Sequence, residues 1–455
     1  MSDRVHFIGI AGIGMSAVAR VMLARGLHVS GSDQADYPVM DQLRSLGADV
    51  HVGYATEHVR GAGTVVISSA TKADNPELVA ARDTGITVQH RSVALAGLLQ
   101  GFRAVAVAGT AGKTTTTSML VTVLQACGAD PSYAMGGEPT GAASNGHVGS
   151  GDLFVVEADE SDGSFTAYHP HAAIVTNVEA DHLDHHGSLA AYEQVFRDFA
   201  ETVSGFLVVC VDDAGAAALA ADARAAGSDV RTYGTAAGAD LRLLQLQTGA
   251  TGSSFVAELR GELLGDVQLP VTGEHLARNA AAALLMAVEL GLPAQQAISG
   301  LAAYGGVRRR MELRGTAGGV RVYDDYAHHP AKVQAQLVAA RAMAGGGRLI
   351  VLFQPHLYSR TATFAKDFGA ALALADHVVV MDVYAAREEP VPGVTGALVA
   401  DAVTLPPGQV EFEPDRDLAA ERVVGVAQPG DLVLTLGAGD VTDLGPVILD
   451  ALGRR

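Results

Sequence analysis

Cysteine is nearly missing from this chain: Cys127 and Cys210 are the only two in 455 residues. That excludes a disulfide framework and fits a reducing, cytoplasmic setting. Basic residues are also scarce, with 31 Lys and Arg against 50 Asp and Glu and a formal charge of −19. A nucleic-acid binder needs a basic footprint, so no nucleic-acid partner is expected, and an anionic membrane surface is disfavoured for the same reason. No apolar run reaches the ~18 residues of a spanning helix, so membrane insertion is not expected either. Lysine is the rarest charged type, present only as Lys72, Lys113, Lys332 and Lys366.

Apolar residues are abundant at 49%, against 18% charged, so disorder is excluded and sizeable cores can form. At ~150 residues per domain, the length suggests about three domains. The start of the chain imitates a secretory signal, with Arg4, the stretch Val5–Met15 and Ala17-Val18-Ala19. Asp3 cancels Arg4, and Gly9, Gly12 and Gly14 interrupt the apolar region, so a strand, glycine turn and helix explain it better.

Strands and helices alternate through the first hundred residues, from Val5–Ile10 and Met15–Ala24 to Thr64–Ser68 and Pro76–Thr84, which predicts a parallel, doubly wound sheet. The pattern restarts at Ala104–Ala108. Strands follow at Leu153–Glu157, Ala173–Thr176 and Leu207–Val211, then a β-rich stretch over 230–271 and a helix at Asn279–Leu290. Gly305-Gly306 and Arg308-Arg309-Arg310 mark a second boundary, beyond which Val320–Tyr323, Leu349–Phe353, Val378–Val383 and Leu432–Thr435 read as strands.

Two glycine loops carry chemistry. Gly9, Gly12 and Gly14 follow a strand and open a helix, with Asp33 at the next strand, as in a dinucleotide fold. The order is G-x-x-G-x-G, not the nicotinamide fingerprint, so the reading is a diphosphate site; the competing one is a turn packed tightly for its own sake. The second loop, Gly109-Thr110-Ala111-Gly112-Lys113-Thr114, has two residues between its glycines where the usual phosphate loop has four. It keeps the glycine amides, a lysine for the β- and γ-phosphates and a hydroxyl for magnesium. Lys113 stands alone between positions 73 and 331 in a chain that otherwise writes basic positions as arginine.

Glu157 leaves a buried strand beside that loop and is placed to hold magnesium, while most of Asp159, Glu160 and Asp162 read as solvated or bonded to backbone. His182, His185 and His186, in Asp181-His182-Leu183-Asp184-His185-His186, leave zinc or a solvated acidic turn as alternatives to a hard cation.

Taken together these motifs resemble the Mur ligases of peptidoglycan synthesis over nearly the full length. The match runs through His6-Phe7-Ile8-Gly9, Ser30-Gly31-Ser32-Asp33, Ala73-Asp74-Asn75-Pro76, Gly109–Thr117 and Glu157–Asp162. It continues through Asn177–Asp184, Asp324-Asp325-Tyr326-Ala327-His328-His329-Pro330 and Gln354-Pro355-His356.

The resemblance implies an α/β protein of three domains. They are a Rossmann-like UDP-substrate domain over 1–102, a central P-loop ATPase-type domain over 103–307, and a Rossmann-like C-terminal domain over 308–455 that closes on ATP and binds the amino acid. It implies ATP and Mg2+ as cofactors, and L-alanine joined to the lactyl carboxylate of UDP-N-acetylmuramate through an acyl phosphate, by a monomer or weak homodimer. By the same resemblance, Gly12, Gly14, Met15, Ser16, Asp33 and Ser69 face the uridine nucleotide. Gly109, Thr110, Ala111, Gly112, Lys113, Thr114, Thr115, His275, Asn279, Arg310 and Asp325 bind ATP. Thr114, Glu157 and His182 hold magnesium, and Tyr326, His328, His356 and Arg360 line the alanine end. Lys113, His182, His356 and Arg360 are the implied catalytic set.

Departures from the family pattern are Ala11 for glycine, Ala111 for histidine, Leu276 for asparagine and Met311 for phenylalanine. Sister ligases also carry a carbamylated lysine after the Asp-His motif; here Arg197 stands in that stretch and no lysine occurs before Lys332. The alternatives are a Mur-type ligase adding a preformed peptide, a nicotinamide dehydrogenase and a non-catalytic nucleotide-binding scaffold.

Overall fold

The computed structural model describes residues 4–140, 144–249, 251–386 and 388–455, with the side chains of Leu183 and Asp184 outside that description. Asp3, invoked above against a signal peptide, also lies outside the described residues. Three sheets organise the chain. The first is five-stranded and parallel, in the order Asp49–Val52, His28–Asp33, Arg4–Ile8, Thr64–Ile67, Thr87–His90. Its central strand and the helix Ile13–Ala24 bury Phe7, Met15, Val18 and Val21 in one core, which is why a short apolar run and a glycine turn suffice to start the domain. The expected strand Val5–Ile10 ends early because Gly9 takes φ = 80°, a left-handed conformation that breaks the extended backbone.

The second sheet has ten strands. Taken in sequence order within the sheet, they are arranged 10-9-8-7-6-5-1-4-2-3, with Arg103–Ala108 between Ala172–Val175 and Leu153–Glu157. The β-rich stretch resolves into Asp229–Gly234, Leu241–Gly249, Gly252–Leu259 and Glu262–Leu269, added at one edge. The third sheet has six strands, ordered Glu312–Ala317, Val320–Asp325, Leu432–Leu436, Leu349–Phe353, His377–Val380, Val410–Phe412. Only the first pair is antiparallel. Glu312–Ala317 and Val410–Phe412 were not anticipated from sequence: both are edge strands with partly exposed residues, so neither shows a buried apolar run.

The chain is therefore α/β in three domains, each built on its own sheet. By Cα proximity it groups into two units. One reaches Gln247 and adds Ser254–Pro270 and Glu274–Gly305; the other holds Thr248–Ser253, Val271–Gly273 and Gly306–Arg455. The unit boundary falls between Gly305 and Gly306, and Gly306 has φ = 93°. No described helix is long and apolar enough to cross a membrane.

Candidate active site

In parallel sheets, ligands bind beyond the carboxyl ends of strands where the strand order reverses. The strands Arg4–Ile8 and Arg103–Ala108 both sit at such positions, and each is followed by one of the glycine loops. A cavity of about 610 Å³ at the seam of the first two sheets is lined by Val5, Thr64 and Ala104, from the starts of their strands, which is the opposite end.

The second loop turns from strand to helix at Gly112, whose φ of 84° only glycine adopts freely. A side chain there would also press on the Asn279 amide, so the predicted adenine residue packs directly against the loop. Asn279 is buried on the helix Glu274–Glu289, one turn after His275, whose imidazole burial holds below its ordinary pKa. Asn177 clamps the loop from the neighbouring strand end: its Oδ1 accepts from Ala111 N at 2.8 Å and its Nδ2 donates to Ala111 O at 3.2 Å. Thr110 Oγ1 lies 2.8 Å from the Tyr192 hydroxyl and accepts from Glu179 N at 3.0 Å.

Lys113 opens the helix Lys113–Ala126 and bends back over the loop. Its Nζ donates to Gly109 O at 2.7 Å and lies 2.5 Å from Glu160 Oε2. Burial works against that ammonium, but Glu160 and then Asp159 hold its pKa above the ordinary value. Thr114 Oγ1 donates to Glu157 Oε1 at 2.9 Å, and Glu157 Oε2 accepts from Gly136 N at 2.6 Å. These hard oxygen donors at the end of one strand and the start of one helix suit a small hard cation.

Among the remaining acids the expectation is corrected for Glu160. Glu160 is completely buried and ion-paired, Asp159 accepts from Arg91 Nη2 at 3.2 Å, and Asp162 accepts from the Ser69 hydroxyl and lies 3.4 Å from His90 Nε2. Glu160 is therefore not solvated, whereas Asp159 and Asp162 also accept from backbone, from Ser161 N at 3.2 Å and Ser164 N at 3.0 Å, as expected. Burial drives Glu160 upward even beside the ammonium; burial also opposes the Asp159 charge, but Lys113 and Arg91 prevail and hold its carboxyl down at about 2. Sequence reading missed this because each partner comes from a distant segment, and no spacing announces it.

The histidines after Asp181 do not form a cage. His182 has φ = 52°, and its Nε2 lies 3.7 Å from Asp181 Oδ2. His186 Nε2 instead meets Glu160 O at 3.2 Å, and its ring packs edge-on to Tyr192. Among the described residues no group of three His, Cys, Asp or Glu is arranged to hold a metal.

Around the first loop, Asp33 accepts from Ala11 N at 3.0 Å and Gln34 N at 2.8 Å, and burial raises its pKa. Gly12 caps the helix without a side-chain bond. Met15 and Ser16 face inward: Met15 belongs to the core, and Ser16 Oγ donates to Ile13 O at 3.0 Å. Any contact from these two to a nucleotide therefore comes from the main chain. Asn145 Nδ2 donates to Ile13 O at 2.7 Å, a contact absent from the sequence reading.

In the C-terminal unit, the ends of Val320–Asp325, Leu432–Leu436 and Leu349–Phe353 gather a second constellation. Asp325 is fully buried and accepts from Met311 N and Ala327 N, both at 2.8 Å. Burial pushes its carboxyl up to about 6, with Arg310 restraining the shift. Arg310 and Arg309 place their guanidinium carbons 5.5 and 4.9 Å from the Tyr326 ring centre. Arg309 was passed over in the sequence, where three consecutive arginines are indistinguishable; it donates to Gly437 O at 2.7 Å and lies 3.4 Å from buried Asp324. His328 Nδ1 lies 2.9 Å from Tyr326 O, and its ring meets His356 edge-on at 5.6 Å. His356 stacks on Tyr384 and lies 3.3 Å from Arg360 Nη1. The four residues predicted for the amino-acid end are thus brought together, with Tyr384 as an unforeseen fifth.

Three of the departures from the family pattern act here through the main chain. Ala11, Ala111 and Met311 each donate a backbone N–H to a site side chain, respectively Asp33, Asn177 and Asp325. Changing those side chains leaves these bonds in place.

Three family profiles match the chain: "Mur ligase family, catalytic domain" over 4–103, "Mur ligase middle domain" over 107–287 and "Mur ligase, glutamate ligase domain" over 309–439. A UDP-N-acetylmuramate--L-alanine ligase of Kineococcus radiotolerans is 56% identical, covering 99% of this chain and 97% of its own length. One of the same name from Saccharopolyspora erythraea is 54% identical, covering 100% and 94%. Among solved structures, the UDP-N-acetylmuramate-alanine ligase of Thermotoga maritima superposes with a TM-score of 0.84 at 28% identity, covering 98% of each chain. A murein peptide ligase of Psychrobacter arcticus gives 0.73 at 25% identity, covering 99% of each.

Proposed function

The chain belongs to the Mur ligase family, and from that premise we propose that it joins L-alanine to the lactyl carboxylate of UDP-N-acetylmuramate, forming ADP and phosphate, in cytoplasmic peptidoglycan precursor synthesis. A carboxylate has no usable leaving group, so the γ-phosphoryl group of ATP is first transferred to it. The alanine amine then attacks the acyl carbon, phosphate departs with the bonding electrons, and the amine loses a proton.

The observation that carries this reading is the meeting of Lys113, Thr114 and Glu157 around one short glycine loop, with Thr114 Oγ1 2.9 Å from Glu157 Oε1. Lys113 and the amides of Gly109–Thr115 hold the phosphates, and the ammonium faces the charge that grows on the transferring group. His275 and Asn279 are assigned to adenine, and Arg310 and Asp325 to phosphate and ribose. The UDP moiety falls to Gly12, Gly14, Asp33 and Ser69 with the main chain at Met15 and Ser16. Tyr326, His328, His356 and Arg360 receive the amino acid and acyl phosphate. Thr114 and Glu157 are the donors for a magnesium ion and His182 for a second; when bound, such ions neutralise phosphate charge and fix its geometry. We assign the domains to 1–102, 103–307 and 308–455.

The test is ADP release with UDP-N-acetylmuramate and each acceptor in turn. L-alanine is expected to lead, with glycine and L-serine slower, since one methyl group supplies only ~1–3 kcal/mol of discrimination. Preference for a preformed peptide replaces the acceptor assignment, and nucleotide binding without ADP release contradicts the reaction.

A further inference from the structure

Arg91 is the first residue of the helix Arg91–Leu99 in the N-terminal domain, yet its guanidinium meets both the first glycine loop and the acidic run that follows Glu157. On one side it covers Gly14 so closely that a Cβ there would collide with Nη1. On the other, its Nη2 donates to Asp159 Oδ2 at 3.2 Å in the central domain. Its Nε is buried without a hydrogen-bond partner. Asp159 is tied down by Ser161 N at 3.2 Å and directly precedes Glu160, whose Oε2 lies 2.5 Å from Lys113 Nζ.

Consider what Lys113 meets when nucleotide arrives. Glu160 already holds it at 2.5 Å, and a triphosphate must draw the ammonium away. A second unpaired carboxylate at Asp159 would strengthen that competition and repel the incoming phosphates. In this partly buried setting such charge terms are screened less than at the open surface. The guanidinium is the cation that neutralises Asp159 without itself entering the loop, and its fixed fork can hold that carboxylate while lying over Gly14.

We propose that Arg91 is a positioning residue for ATP, neutralising Asp159 so that this carboxylate does not compete with the triphosphate for Lys113. The proposal rests on the phosphate-loop role given above to Lys113. It assigns the contact between the two domains a task in nucleotide binding beyond holding them together.

The experiment is calorimetric titration of the full chain with ADP and magnesium, without the other substrates. Arg91→Gln is expected to weaken ADP by roughly tenfold, the scale of a coupled charge contact, and Arg91→Lys to recover part of the loss. The deciding variant is the double substitution Arg91→Gln with Asp159→Asn, expected within about threefold of the unsubstituted chain because the competing charge is gone. A double variant no tighter than Arg91→Gln overturns the proposal, since a purely structural arginine would not be rescued in this way. If Arg91→Gln does not fold, Asp159→Asn alone decides: affinity equal to or tighter than the parent supports the proposal, and a loss of roughly tenfold overturns it. Lys113→Ala separates the two readings. If the parent chain fails to bind ADP, or Lys113→Ala binds it equally well, the phosphate-loop role is wrong. If Lys113→Ala alone loses binding while Arg91→Gln behaves as the parent, only the role of Arg91 is lost.

Discussion

The Lys113 ammonium lies 2.5 Å from Glu160, whose other carboxylate oxygen accepts from the Tyr192 hydroxyl at 3.4 Å. The carboxylate thus favours the charged lysine at the loop. Lys113→Ala is expected to lower ligation by roughly 100- to 1,000-fold, the scale of removing one preorganised transition-state donor. Binding of UDP-N-acetylmuramate, assigned to a different domain, should stay nearly unchanged by equilibrium dialysis. Lys113→Arg should not restore the rate, because a planar fork does not replace a compact ammonium. Equal loss of both properties would count against the separation of roles.

Thr114 and Glu157 share a hydrogen bond, and their oxygens are the ones we assign to magnesium. Thr114→Val and Glu157→Gln should each raise the magnesium concentration for half-maximal activity by roughly ten- to a hundredfold. An unchanged requirement in both variants would place the ion elsewhere.

His328 is half-buried, and its Nδ1 faces the Tyr326 carbonyl, which only accepts; the proton therefore sits on Nδ1 and Nε2 carries a lone pair. Burial, then Arg360, holds this imidazole down at about 3. A depressed histidine stabilises the fold above its ordinary pKa of about 6.5, and that contribution is lost as pH falls from there towards 3. Ring-nitrogen NMR should show the neutral Nδ1–H form throughout the neutral range, with protonation only near the acid end of that window. His328→Gln should flatten the fall of stability across it. A His328 titrating near 6.5 would contradict the assigned surroundings.

What was legible in the sequence is instructive by residue. The second loop and Glu157 could be read because glycines, a lone lysine and an acid at a strand end sit in one short pattern. The pairings Arg91–Asp159 and Thr110–Tyr192 could not, because they join residues 68 and 82 positions apart with no periodicity between them. Arg309 and Tyr384 stayed hidden for another reason: only the packed rings of Tyr326 and His356 show which side chains reach them.

Arg197 bears on the metal chemistry. It lies 2.8 Å from Asp222 and 3.5 Å from Glu193, and a guanidinium that stays protonated cannot form a carbamate. Activity is therefore expected to be unaffected when dissolved carbon dioxide and bicarbonate are stripped out. Inactivation reversed by adding bicarbonate would show that a carbamate takes part after all.

The central claim is that ATP activates the lactyl carboxylate as an acyl phosphate. The direct measurement uses UDP-N-acetylmuramate labelled with oxygen-18 in that carboxylate, with ATP and L-alanine, and mass analysis of the phosphate released. Phosphate carrying one labelled oxygen, formed together with the alanyl amide, is the predicted result. Unlabelled phosphate accompanying amide formation would contradict the account.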